Sequence, residues 1–172
     1  MKINKTYIVV GAALALAAYI VYKRRQGGGA GLSNDPQTVF TKLQTKYGTN
    51  YARLIEKLYR YETAHFTSGQ YAKTWSAGMV ATSTAFPFGW ASLDEFLAAN
   101  PQYKGDFGTV QMNTSRGVKK YVKFPNLESA VFFISWFIQN KRGGDVGKWN
   151  SLDAGESASY LAELSRVSAR FV

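Results

Sequence analysis

The sequence predicts a mainly helical α+β domain with a small β-hairpin, preceded by an N-terminal transmembrane helix. Apolar residues recur at helical spacing over most of the chain after residue 35, and two short alternating segments flank a turn sequence. A charge-free run lies close to the N-terminus. With 172 residues, of which 46% are hydrophobic, the chain has enough material for one well-packed core.

The N-terminal segment, residues 1–26, is interpreted as a membrane anchor. No charged residue occurs from Ile8 to Tyr22, and basic residues flank this run on both sides. A helix of this length covers about 22 Å of a hydrocarbon core about 30 Å thick, and flanking lysines and tyrosines reach the headgroups to make up the difference. A cleaved signal peptide is the alternative, but the basic triplet at residues 23–25 stands where its small cleavage-site residues would begin.

The segment that follows, residues 27–34 (GGGAGLSN), is predicted to be a Gly-rich linker, so the globular domain is expected to span residues 35–172. Five of the 21 basic residues flank the anchor, which leaves 16 basic and 11 acidic residues in the domain. That excess suits an anionic partner without selecting one.

Cysteine is absent and His65 is the single histidine. Thiol nucleophiles, disulfides and multi-histidine metal sites are therefore excluded, and we predict no metal and no cofactor.

The first two helices of the domain are predicted from their ends. Asp35 followed by Pro36 is typical of an N-cap and first turn, and Gly48 ends that helix. A second helix is predicted from about Asn50 to Glu62, with its apolar residues on one face.

The middle of the domain is less regular. The segment from Phe66 to Gly89 has no clean period and is expected to form an ordered loop around a site. Ser92 and Glu95 have the spacing of a capping box, which predicts a short helix that ends near Asn100.

The rest of the chain predicts a hairpin followed by two helices. Residues 109–113 and 118–124 alternate as strands around a turn sequence. Asn126 is predicted to cap a helix that runs to Gln139 and is apolar nearly all round, which is typical of a buried central helix. A last helix is predicted over residues 156–166.

Glu62 is the candidate for acid–base chemistry. It ends an apolar helix and precedes a polar, aromatic loop. The negative end of the helix dipole, together with Tyr61 and Phe66 nearby, disfavours the charged carboxylate. A protonated carboxyl group can donate its proton to a glycosidic oxygen as the bond breaks. The alternative is a solvated helix-end residue, or an ion pair with Arg60 or Lys57.

The run ETAHFTSGQYAKTWSAGM, from Glu62 to Met79, resembles the bacterial glucosaminidase family of peptidoglycan hydrolases. In that family a glutamate ends a helix, and a short loop leads to a second motif, which residues 75–79 (WSAGM) resemble. Residues 118–130 are similar to the family's hairpin strand and following helix, and residues 160–164 to its closing segment. The resemblance covers about residues 35–172 and implies a lysozyme-like fold with Glu62 as catalytic acid.

A second catalytic acid is less evident. Many family members are thought to use one on the β element, but no Asp or Glu occurs from Phe107 to Leu127. Asp106 and Asp94 are the plausible substitutes, and Asp106 is our choice. If neither contributes, the enzyme would resemble lytic transglycosylases, in which one glutamate acts as acid and then as base. Tyr121 is predicted to hold substrate or to orient a water.

Aromatic side chains are candidates for contacts with sugar rings. Trp75 and Phe88 are predicted to stack on sugar faces, and Tyr103 is predicted to bind substrate. The alternative for each is packing in the core. We expect His65 to be structural.

The function predicted from these features is a membrane-anchored glycosidase that cleaves peptidoglycan glycan strands. Its partners would be peptidoglycan and the lipid membrane, with the domain on the cell-wall side or in a virion that has a membrane, where it would serve phage entry or lysis. One alternative is a catalytically inactive lysozyme-like structural or wall-binding subunit. A nucleic-acid binder has only the lysines and aromatics of residues 116–124 in its favour, so no nucleic acid is expected.

Overall fold

The computed structural model describes five parts of the chain: residues 31–78, 80, 90–114, 117–149 and 153–172. The predicted anchor and the first part of the predicted linker lie outside them and stay predictions. Within the described parts, no helix has both the length and the apolar character needed to span a membrane.

Helices dominate the described chain. In order, its elements are α1 Pro36–Tyr47, α2 Thr49–Glu62, α3 Gly69–Thr74, α4 Trp90–Ala99, β1 Gly108–Thr114, β2 Gly117–Lys123, α5 Leu127–Lys141 and α6 Ala154–Ser165. Short 3-10 turns, Pro101–Tyr103 and Val146–Trp149, follow α4 and α5. The strands form a two-stranded antiparallel sheet, so the predicted α+β class with a small hairpin is confirmed.

Helix α1 begins and ends where Asp35 and Gly48 predicted. The Asp35 carboxylate accepts a hydrogen bond from the Thr38 backbone N–H at 2.8 Å, as an N-cap does. Gly48 has a φ of 86°, a left-handed value that favours glycine, and it separates α1 from α2. This corner brings the two helices side by side.

The domain's first contacts precede α1. Ser33 and Asn34, at the end of the predicted linker, bond to the start of α5. The Ser33 N–H donates to Glu128 at 2.8 Å, and the Leu127 N–H donates to Asn34 at 2.9 Å. Leu32 also packs against the core, so contacts with the domain reach at least three residues into the predicted linker.

The predicted capping box is wrong. Helix α4 begins at Trp90, so Ser92 lies inside the helix and is not its N-cap. The Glu95 carboxylate instead pairs with the ammonium group of Lys141 on α5, at 2.6 Å. A partner 46 positions away in sequence has replaced the local one.

The loop predicted from Phe66 to Gly89 contains a short helix, α3. The Ser68 hydroxyl caps it by accepting from the Tyr71 N–H at 3.1 Å. Tyr71, only 7% exposed, ties the helix to the core. A six-residue helix is too short to show a hydrophobic period, which is why the pattern missed it.

The hairpin is attached to the segment that follows α3. Its strands pair from Gly108 opposite Lys123 to Thr114 opposite Gly117. The Val122 N–H donates to the Val80 carbonyl at 2.8 Å, and the Phe124 N–H donates to the Thr74 carbonyl at 3.2 Å. These bonds place the hairpin beside α3.

Helix α5 is the buried centre of the domain, as predicted. The Asn126 side chain caps it by accepting from the Ser129 N–H at 2.8 Å. Eleven of the 15 residues of α5 are buried, and each large apolar side chain removed from water contributes roughly 1.5–3 kcal/mol. The largest fully buried side chains of the domain are Tyr59, Phe40, Phe96, Phe124, Phe133, Phe137, Leu43, Ile55, Leu58, Leu93, Leu127 and Ile134.

Helix α6 packs against α2 and against the 3-10 turn at Val146–Trp149. Asp153 is its N-cap and accepts from the Gly155 and Glu156 N–H groups at 2.8 and 3.0 Å. A side chain at Gly147 would lie only 2.8 Å from the Ser157 carbonyl, so this close approach requires glycine. The packing brings the middle of α6 against the end of α2.

Candidate active site

Glu62 is the last residue of α2 and is half-buried. Thr63 follows Glu62, and the next three residues are non-glycine residues with positive φ: Ala64 at 47°, His65 at 58° and Phe66 at 70°. A left-handed conformation costs an L-residue about 1 kcal/mol or more. Three in a row form a strained turn, which persists only where its surroundings hold it.

Hydrogen bonds hold the backbone of this turn. The Phe66 N–H donates to the buried Thr63 hydroxyl at 2.8 Å, and the Ser68 N–H donates to the Thr63 carbonyl at 2.9 Å. The His65 N–H reaches back to the Arg60 carbonyl at 2.8 Å. His65 thus contributes through its backbone, and its side chain is exposed.

The Phe66 ring holds the turn from the core side. Its centroid lies 6.1 Å from that of Phe40, 6.2 Å from Tyr59 and 5.6 Å from Tyr71. Ring pairs at such distances add packing energy beyond area burial. The backbone on the C-terminal side of Glu62 is therefore fixed.

Tyr160 of α6 is the side-chain partner of Glu62. Its hydroxyl donates to Oε1 of Glu62 at 2.5 Å. The ring is 7% exposed, and Tyr61 packs against it edge-on at 5.8 Å. Among the described residues, Oε2 of Glu62 has no hydrogen-bond partner, so one carboxylate oxygen is held by Tyr160 and the other is held by none of these residues.

Burial raises the pKa of Tyr160 far above its usual value, and the neighbouring Glu62 carboxylate raises it further. The hydroxyl therefore stays protonated near neutral pH and remains a hydrogen-bond donor to Glu62.

The ion-pair alternative for Glu62 is wrong. Arg60 pairs with Glu56, one turn earlier on α2, at 2.7 Å. The Lys57 ammonium donates to the Ser165 carbonyl at 3.3 Å. Both cations named as partners of Glu62 are engaged elsewhere.

Asp106 and Tyr121, the other two predicted catalytic residues, form no hydrogen bond with Glu62 in the described part of the chain. Asp106 is exposed and lies two residues before β1. Asp94, the alternative acid, is exposed on α4. Tyr121 is on β2 opposite Val110 and is only 6% exposed.

The predicted sugar-stacking residues have different surroundings. Tyr103 is 5% exposed, and its ring stacks on Phe96 at 5.4 Å and on Phe132 at 5.0 Å, an arrangement that favours the packing alternative. Trp75 is half-buried at the end of α3, edge-on to Tyr71, and keeps part of its surface exposed. Phe88 lies outside the described residues.

A polar groove of about 500 Å³ lies between α3 and the hairpin. Its lining residues are Gln70, Lys73, Gln111, Met112, Asn113 and Val118. Carboxamide groups both donate and accept hydrogen bonds, so they suit sugar hydroxyls and N-acetyl groups. Sequence reasoning missed this groove, although strand alternation does place Gln111 and Asn113 on one face.

The described residues contain no cluster of three or more His, Asp or Glu side chains arranged to hold a metal ion.

No family model matches the chain, and comparisons with curated proteins and with solved structures find no match either. The resemblance to glucosaminidases therefore rests on the sequence motifs.

The raised pKa of Tyr160 predicts a loss of stability at alkaline pH. The unfolded chain releases this phenolic proton near pH 10, whereas the folded chain retains it, so the contribution to stability is complete below pH 10 and falls above it. Tyr160→Phe should make the fall in unfolding free energy between about pH 10 and 11.5 shallower by up to about 1.4 kcal/mol per pH unit. Urea unfolding across that range measures the slope. Equal slopes for the two proteins would contradict the prediction.

Proposed function

We propose that the domain is a glycosidase with a lysozyme-like fold, which cleaves peptidoglycan glycan strands and uses Glu62 as its acid–base group. One observation carries the proposal: Glu62 is half-buried at a helix end, with Oε1 held by Tyr160 and Oε2 without a partner among the described residues. A general acid needs a fixed carboxyl group with one oxygen open to substrate, and this arrangement supplies both.

The other glutamate of α2, Glu56 in the middle of the helix, lacks that arrangement. Glu56 is fully buried and its two oxygens accept several hydrogen bonds from protein groups. It cannot reach a glycosidic oxygen without unfolding its surroundings. Glu62 is therefore the carboxyl group of α2 that suits proton transfer.

The proposed chemistry begins with protonated Glu62. It donates its proton to the glycosidic oxygen, and the bond from that oxygen to the anomeric carbon breaks. The resulting carboxylate then takes a proton from the group that attacks the anomeric carbon. Attack by water leaves a reducing end, and attack by a hydroxyl group of the same sugar leaves an anhydro ring. The second course needs no second acid.

The polar groove between α3 and the hairpin supports a glycan substrate. Most of its lining is polar, with three carboxamide groups and the Lys73 ammonium group. An ammonium group suits a glycan that carries carboxylates, as peptidoglycan does on its peptide side chains. The domain also has more basic than acidic residues, and this net positive charge favours the same anionic substrate.

The predicted anchor complements this activity. A flexible linker would hold the domain at high effective concentration beside the membrane, within reach of the cell wall. The protein would then act as a single-pass membrane enzyme of wall opening, in a bacterial envelope or in a virion that has a membrane.

A catalytically inactive wall-binding subunit is the second candidate. The observation that favours it is the lining of the polar groove, which among the described residues offers amide, ammonium and apolar groups and no carboxyl group. Such a subunit would bind glycan strands and leave them intact.

Product analysis distinguishes these candidates. Purified peptidoglycan is incubated with the full-length protein in detergent, wild type beside Glu62→Gln, and the soluble fragments are identified by mass spectrometry. Anhydro ends indicate a transglycosylase and reducing N-acetylglucosamine ends a glucosaminidase, provided that both vanish with the variant. If a folded wild-type protein releases no fragment but sediments with peptidoglycan, the binding subunit is the better description.

A further inference from the structure

The last residues of the chain are bound to the buried carboxylate of Glu56. The Arg170 N–H donates to Oε1 at 2.6 Å, the Phe171 N–H donates to Oε2 at 3.0 Å and the Val172 N–H donates to Oε2 at 3.2 Å. Arg60 donates to Oε1 at 2.7 Å. A fully buried carboxylate thus accepts three successive backbone N–H groups and one guanidinium group, which satisfies its charge.

Polar side chains of α1 and α2 bind the carbonyl groups of the same segment. Gln37 donates to the Phe171 carbonyl at 3.0 Å, and Arg53 donates to the Val172 carbonyl at 3.2 Å. The backbone of residues 170–172 is therefore held on both sides, and Phe171 is given a defined position.

The ring of Phe171 packs directly against the turn that follows Glu62. Its centroid lies 5.9 Å from that of Phe66, and it stacks on Phe40 at 6.1 Å with 15° between the planes. The Arg60 guanidinium lies 4.5 Å from the Phe171 centroid and 5.4 Å from that of Phe66. Phe171 is thus one wall of the pocket that holds Phe66, the last residue of the strained turn.

We propose that the segment 170–172, clamped by Glu56, is a positioning element for the active site: Phe171 holds Phe66 and, through the left-handed turn at 64–66, the orientation of Glu62. The turn is unfavourable for its residue types, so it requires the packing of Phe66 to persist. Without Phe171 the turn relaxes toward ordinary backbone angles, and the end of α2 moves with it. The effect on catalysis rests on the proposed function, whereas the effect on the turn does not.

The test compares Phe171→Ala with Phe171→Tyr in the full-length protein in detergent. Phe171→Tyr keeps the aromatic ring and is the conservative variant. Because residue 171 is half-buried, the added hydroxyl group can reach water. The control is Trp136→Ala, which removes another half-buried aromatic side chain that packs against Phe96 and Phe133. Native-state amide exchange is measured for residues 65–68 and, as an internal reference, for the hairpin of β1 and β2, which carries none of these substitutions.

In Phe171→Ala the amides of residues 65–68 are expected to exchange at least about tenfold faster relative to those of the hairpin, because local opening becomes easier. Phe171→Tyr and Trp136→Ala should leave that ratio within about threefold of the wild-type ratio. If wild type cleaves glycan, kcat should fall at least about tenfold in Phe171→Ala with KM little changed, and Phe171→Tyr should restore it.

An unchanged exchange ratio in Phe171→Ala overturns the positioning role, whatever the activity. So does the same rise in the ratio for Trp136→Ala. If Phe171→Ala does not fold, Phe171→Leu is measured against the same criteria. A wild-type protein without activity would overturn the proposed function alone, because amide exchange still decides whether Phe171 holds the turn.

Discussion

Glu62→Gln is expected to lower the rate of glycan cleavage by a factor of about 10² to 10⁴, the usual contribution of a general acid. The amide has the shape of the carboxyl group, and its carbonyl oxygen can still accept the hydrogen bond from Tyr160. It has no acidic proton to transfer to the leaving oxygen. The initial rate of fragment release from labelled peptidoglycan measures the loss, and thermal unfolding checks that the domain remains folded.

The matched control is Glu163→Gln. Glu163 is on α6, three residues after Tyr160, and forms an exposed pair with Arg166 at 2.7 Å. The substitution makes the same chemical change close to the site, and an exposed pair contributes at most about 1 kcal/mol. Its cleavage rate should equal that of wild type. A Glu62→Gln protein as active as this control would remove Glu62 from the mechanism.

Signals that act over a few residues predicted much of the fold. Asp35 and Gly48 mark the ends of α1 because a cap and a left-handed glycine act on the nearest backbone groups. The same reason explains the success of Asn126 at the start of α5. The hairpin was predicted from alternation, which is also a local property.

The errors in the fold arose where distant contacts prevailed. Ser92 and Glu95 have the spacing of a cap, yet the helix begins before them and Glu95 pairs with Lys141. Local sequence offers such alternatives, and tertiary packing selects among them.

The same distinction between local signals and distant contacts applies to the candidate site. Glu62 was predicted because a helix end and an aromatic loop are adjacent in sequence. Its partner Tyr160 is 98 positions away, and the chain has eleven tyrosines, so no local pattern selects it. Sequence reasoning favoured Tyr121 and Tyr103 instead, and both are buried. Their proposed roles, like that of Asp106, stay predictions.

Glu56→Ala is expected to destabilise the domain by about 3–5 kcal/mol, the range found when one partner of a buried ion pair is removed. Arg60 is only 5% exposed, so its charge would remain buried without a carboxylate. The N–H groups of residues 170–172 would also lose their acceptor. Urea unfolding at pH 7 measures the change in unfolding free energy.

Glu128→Ala is the control for this loss, because Glu128 is 4% exposed but pairs with Lys42, which is 43% exposed. Lys42 can turn to water when its partner is removed, so the loss should be smaller, about 1–2 kcal/mol. Adding Arg60→Met to Glu56→Ala should recover part of the larger loss, since it removes the unpaired charge. If the double variant is no more stable than Glu56→Ala, the loss comes from the released backbone groups of residues 170–172 rather than from the buried charge.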